Sequence, residues 1–302
     1  MSRLRPVKSL RIGSSSPMVL LLVFLYALWL SGCSSSTSHP HSVGPAGHYV
    51  EATSLFSKAE FSRALDRTYD LAKASPPNEY TDRARVLRAV IFSGQVDAFK
   101  EMSEAYAKGA ENTKRPEVKS EYMNKRRDAQ QQGSEAAMHL AEVARQLTKG
   151  GALPNELTLD APYPSVEGPA QVSQLAKARD GVLISSDDEE AAATDAQRKN
   201  VDDALGAALG GDRAAARTTL KSAPVKLDDY TFAVFLTQKL LDGAGIFDRK
   251  HGHDPERFKQ LCGMASDLTN VASATLKATP DKDREKALKK LQDQIKTTLK
   301  SG

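Results

Sequence analysis

Two rhythms of apolar residues run through the chain. From Met18 to Leu30 they are nearly continuous. From Tyr49 onward they return every three or four positions, the spacing of a helix that buries one face. Ala52, Leu55, Phe56 and Ala59, then Phe61, Ala64, Leu65, Thr68, Leu71 and Ala72, predict two helices between Tyr49 and Ser75, closed by Pro76-Pro77. A second pair is expected over Tyr80–Phe92 and Val96–Tyr106, with Gly94 as the turn. An alanine-rich helix follows between Pro116 and Leu147, stopped by Gly150-Gly151. Residues 152–170 carry Pro154, Pro162, Pro164 and Pro169 with Gly168, which excludes regular helix and marks a boundary or a long surface loop.

Helical spacing resumes beyond a candidate extended segment, Gly181–Ile184. Ser186 with Glu189 fits a capping box, and Asp187, Asp188 and Glu189 suit the positive end of a helix. Leu205, Ala208 and Leu209 lead through Gly210-Gly211-Asp212 into Ala214, Ala215, Ala216 and Leu220, a short hairpin ending before Pro224. Tyr230–Leu241 is the most apolar helix of this half, with Gly243 and Gly245 closing it. Asp254-Pro255-Glu256 is a helix start: a capping acid, a proline in the first turn, then another acid. The last helix, Asp281–Lys300, has a narrow stripe of Leu288, Leu291, Ile295 and Leu299 among lysines, which suits docking on its own bundle. The expected fold class is all-α, built of stacked helix hairpins.

The turn and second helix of the first pair, Lys58-Ala59-Glu60-Phe61-Ser62-Arg63-Ala64-Leu65 with Pro76 beyond, resemble a tetratricopeptide repeat. In that family a small residue makes the turn, an aromatic follows and an alanine permits close packing; the matching positions are Ala59, Phe61 and Ala64. Gly94 lies about 35 residues after Ala59, near the repeat length of about 34. The resemblance implies a helical array with a concave surface for peptides, proteins or extended ligands.

The continuous apolar block has a different meaning. Arg3, Arg5, Lys8 and Arg11 precede it, and Leu30-Ser31-Gly32-Cys33 ends it, the order of a secretory signal peptide. At about 13 residues it falls short of the roughly 20 needed to span a bilayer. Leu30, Ser31, Gly32 and Cys33 resemble the bacterial lipobox. That resemblance implies a diacylglyceryl thioether on Cys33, cleavage before it and acylation of the new amino terminus. Ser34, in place of an aspartate, resembles the pattern of lipoproteins sorted to the outer membrane, where the protein would face the periplasm. Ser34–Gly47 is rich in Ser, Thr, His, Pro and Gly and reads as a flexible tether. The expected organisation is a signal peptide over 1–32, a tether over 33–47, a tetratricopeptide-like domain over 48–150, a Pro-rich linker or loop over 151–170, and a C-terminal helical domain over 171–302.

Removing the signal changes the composition. The whole chain has 42 Lys+Arg against 38 Asp+Glu, but four of the basic residues precede Cys33, so the remainder is balanced. Nothing in that balance suits a nucleic-acid partner. The one tryptophan, Trp29, leaves with the signal. With Cys33 lipidated, Cys262 has no disulfide partner; among Leu261, Met264 and Leu268 it reads as a buried thiol rather than a nucleophile.

Candidate chemistry is sparse. His39, His41 and His48 lie in or beside the tether and read as solvated, and His139 sits on a helix flank. Ser186–Glu190 has carboxylates for calcium but lacks the alternation and glycine of an EF-hand, leaving the cap as its role. Asp248–Glu256 holds the one cluster of metal-ligand types. His251 and His253 could reach one ion from extended backbone, with Asp248 or Glu256 adding oxygen, although the helix start at Asp254 makes them loop residues instead. Neither an HExxH, a CxxC nor a serine-nucleophile motif is present. The expectation is therefore no enzyme and no cofactor beyond the covalent lipid on Cys33. The partners expected are membrane lipid, through that acyl group, and an envelope protein or small ligand. The leading function is a membrane-tethered binding scaffold, which calls for an open groove. An accessory ligand-binding component of a transport system calls for an apolar cavity between the two halves. A metal-dependent hydrolase calls for His251 and His253 converging with carboxylates in a cleft.

Overall fold

A computed structural model describes residues 44–164, 174–247 and 254–301. They are almost entirely helical, as the apolar spacing requires. Helix α1 spans Pro45–Ser57 and α2 spans Phe61–Lys73. Pro45 opens α1 in its first turn, where a missing N–H costs nothing, so the helix starts a few residues before the expected Tyr49. Ala59 makes the turn with φ 58°, Phe61 packs edge-on to Phe56, and Ala64 is fully buried between the helices. The first hairpin is formed by the residues expected to form it.

The second hairpin is not where the sequence put it. Helix α3, Thr81–Asn112, runs straight through Gly94, and its antiparallel partner is α4, Pro116–Leu147, after a break at 113–115. Gly94 is a contact point rather than a turn. A Cβ there would lie 2.5 Å from Val201 Cγ2 and 2.6 Å from the Val201 backbone, so the missing side chain admits another helix at close range. Every residue from Val86 to Val96 is buried, the pattern of a helix covered on all sides. It is the axis of the fold, in contact with α2 and α4 and with three of the later helices.

The later helices are α5 (Gln174–Arg179), α6 (Ser186–Ala208), α7 (Arg213–Thr219), α8 (Asp229–Ala244), α9 (Pro255–Ala278) and α10 (Lys282–Ser301). Of these, α5, α6 and α8 touch α3. Caps fix most of their starts. Asp212, Asp228 and Asp254 accept backbone N–H bonds three residues on, as does Ser185 from Asp188 at 3.2 Å. The α6 cap is thus Ser185, one residue before the expected Ser186, which is already helical. The stripe on α10 docks through Leu288, Leu291 and Ile295, while Leu299 is 43% exposed.

The Pro-rich segment contributes a strand, β1 (Thr158–Leu159), pairing antiparallel with β2 (Val225–Lys226) in the register Thr158↔Lys226. It carries Leu157 and Leu159 into the interior, and Asp160 meets Arg83 at 3.3 Å. One apolar cluster joins Phe56, Leu87, Leu140, Leu205, Phe232 and Leu261, so both sides of that segment share a core. A smaller cluster at the far end of α3 and α4 stacks Tyr106 on Tyr122 at 5.9 Å. Among the described residues, no helix is long and apolar enough to cross a membrane.

Candidate functional site

Polar groups tie α3 to α8. Asp97 Oδ2 accepts a bond from Lys239 Nζ of α8 at 2.5 Å, and Asp242 Oδ2 lies 3.6 Å from the same ammonium. Burial pushes the Asp97 carboxyl above the usual range, and Lys239 offsets only part of that. Burial pulls the Lys239 ammonium down, but Asp97 and Asp242 outweigh it and hold it above an ordinary lysine. The network is a charged rivet between α3 and α8.

Beside it lies a cavity of about 190 Å³, bounded by α3, α4 and the end of α8. Its apolar wall is Phe99, Ala129, Gly133 and Ile246. Small residues on α4 leave the space, and the end of α8 at Gly245 turns Ile246 across it. Lys100, Glu104, Arg126 and Asp242 bring both signs of charge to the same cavity. Asp242 is engaged with Lys239, whereas Arg126 Nε is buried without a hydrogen-bond partner and neither Arg126 nor Lys100 has an ion pair among the described residues. An apolar wall edged by two cations without ion pairs and the exposed carboxylate of Glu104 can hold a small amphipathic molecule or one inserted side chain.

The residues singled out from sequence lie elsewhere. Leu30, Ser31, Gly32 and Cys33 fall outside the described residues, as do His39, His41, Asp248, His251 and His253. Glu256 is exposed in the first turn of α9, behind the cap of Asp254. His48 is exposed on α1. Cys262 is fully buried, and desolvation pushes its thiol up to about 11, the state of an inert thiol. Glu189 of the acidic run is tied to Lys125 and Tyr106. Among the described residues no group of three or more His, Cys, Asp or Glu side chains could hold a metal ion. Asp97, Lys239 and Arg126 had no signal in the sequence; the first two are 142 positions apart. No protein-family model matches the chain, and neither a curated protein nor a solved structure matches it.

Proposed function

We propose that this chain is a lipid-tethered, non-enzymatic binding protein of the cell envelope, held through acylated Cys33 and facing the periplasm from the outer membrane. Its binding site is the cavity between α3, α4 and the end of α8. The observation that carries this reading is the lining: residues from both halves enclose an apolar wall beside the unpaired Arg126 and Lys100. That is the arrangement called for by a component that holds a small ligand for a transport system. The anchor would confine the site to one membrane face and raise its local concentration toward a membrane partner.

A protein-binding scaffold is favoured by a different surface. Val182 and Leu183 are 55% and 43% exposed, and Tyr122, next to the exposed Met123, donates its hydroxyl hydrogen bond to the Val182 carbonyl. Exposed neighbouring apolar residues of this kind suit a partner's surface. A photoreactive side chain at Ala107, on the cavity wall, and another at Leu183 separate the two readings in intact cells. A small-molecule adduct at Ala107 supports the ligand reading, and a protein adduct at Leu183 alone supports the scaffold. No adduct at either position sinks both.

A further inference from the structure

The buried stretch of α3 contains one full charge, Arg88, and its side chain lacks the partner that such a group usually has. Arg88 is 7% exposed. Its Nη1 donates to the Leu65 carbonyl at 2.5 Å and lies 3.3 Å from Thr68 Oγ1, both neutral acceptors on α2. The guanidinium stands 5.6 Å from the Tyr69 ring centroid and 5.2 Å from that of Phe92. No carboxylate forms an ion pair with it among the described residues. Buried charges are normally paired, because desolvation of a lone one is costly. The Leu65 bond explains one nitrogen, as a tie between α2 and α3. It leaves the charge without an ion pair: Asp66 of α2 acts on it only at a distance, and the nitrogens beyond Nη1 have no protein acceptor but are not sealed from solvent, where an incoming group could reach them.

Two more groups meet at the same place. Lys73 of α2 donates to Tyr69 Oη at 2.5 Å and lies 4.1 Å over that ring. His139 of α4 stacks on the other side of the cluster, its ring 5.1 Å from Phe92 and 24° from parallel. His139 is exposed on α4; partial desolvation, then the charge of Arg88, hold its imidazole below the usual range, with Lys73 adding to this and Glu135 opposing it. These are the charged groups facing His139: Arg88 from α3, Lys73 from α2, and Glu135 one turn earlier on α4. Glu135 accepts from Gln131 at 3.1 Å and pairs with none of the three. Tyr69 is 47% exposed, so the cluster is open to solvent along its ring.

We infer that Lys73, Arg88 and His139 form a binding site for an oxyanion, a carboxylate or phosphate group, where α2, α3 and α4 meet. The fork of Arg88 matches two oxygens of such a group, and Lys73 supplies a point charge at the rim. The imidazole of His139 gains a proton as the anion arrives. The Tyr69 ring forms an apolar edge for whatever carries the anion.

Inorganic phosphate and, separately, acetate titrated into the full chain in detergent micelles test this site. Sodium chloride keeps the ionic strength constant, and the histidine ring protons are followed by NMR. His139 should shift saturably while the other five histidines do not, and its titration midpoint should rise. With acetate, counted as its ionised form only, affinity should increase as the pH falls through the His139 titration. Stronger binding of phosphate marks a phosphorylated ligand, and stronger binding of acetate a carboxylate. Arg88→Lys, which keeps the charge and loses the fork, should weaken binding about tenfold. Lys73→Gln, at an exposed position, should weaken it about threefold. If Arg88→Lys does not fold, as judged by circular dichroism, Lys73→Gln carries the test. A His139 that answers chloride as it answers the oxyanions, or is silent to both, overturns the site. So does an affinity unchanged in the folded variants.

Discussion

Helix α3 carries charge into the interior on either side of Gly94, and the two places are built on opposite principles. Toward its C-terminal half, Asp97 meets Lys239 with Asp242 in support, a cation answered by acids of the same protein. Toward its N-terminal half, Arg88 meets a carbonyl, a hydroxyl and two aromatic rings. A compensated pair is self-sufficient and ties helices together. An uncompensated cation costs stability unless its surroundings disperse the charge or an anion joins it. The first arrangement reads as architecture and the second as an unfilled requirement.

The largest effect is expected where compensation is broken. Lys239→Met leaves Asp97 in a mostly buried position without its ion-pair partner, and should cost roughly 2–4 kcal/mol in chemical denaturation. Replacing Asp97 and Lys239 together by Leu and Met should cost less than Lys239→Met alone; a larger loss in the double variant would show that the pair is not the unit. Next is Gly94→Ala, which should disturb both places because the helix itself must move. Helix propensity favours alanine by about 1 kcal/mol, but overpacking against the Val201 backbone costs about 1–3 kcal/mol, so the net change should be destabilising. A stabilised Gly94→Ala protein would mean that α3 and α6 are not in close contact.

Arg88→Met should be milder than Lys239→Met, within about 1.5 kcal/mol, since it removes the tie to Leu65 and also the cost of a lone buried charge. Equal losses in the two methionine variants would erase the distinction between the sites. The smallest effect is expected at Glu101, a surface counterpart of the Lys239 network. Burial raises its pKa, but bonds from Lys199 and Asn200 and the charges of Lys199 and Arg179 outweigh that and hold its carboxyl below the ordinary value of 4.5. The folded pKa lies below the unfolded one, so its contribution is present above about pH 4.5 and lost as the pH falls through the folded value. Glu101→Gln should cost under about 1 kcal/mol at pH 7 and nothing once the wild-type carboxyl is protonated. A pH-independent difference would assign the loss to packing.

What was legible in the sequence follows from the range of the interaction. Asp254 as a cap, Ala59 as a turn and Leu288, Leu291 and Ile295 as a docking stripe each depend on neighbours within a few positions, and they stand as read. Gly94 reads as a turn in sequence because the same residue serves a turn or a close approach, and what decides here is Val201, 107 positions away. The cap of α6 slipped from Ser186 to Ser185 because adjacent serines offer the same hydroxyl. The pairing of Thr158 with Lys226 is too short to leave an alternating pattern. The polar sites were hidden more deeply: Arg126 looks like any helix-surface arginine until α8 is laid beside it.

The central position of α3 also governs how the protein can come apart. In an array of repeats each module leans only on its neighbours, so stability accumulates along the chain and folding can begin anywhere. Here α3 is covered by α2 from before it and by α6 and α8 from more than a hundred residues later, and its apolar surface is finished only when those arrive. Such distant partners slow folding and make it a single concerted event. Melting of the described region should therefore occur in one transition, and a chain cut within the Pro-rich segment leaves α3 with an uncovered flank prone to aggregation.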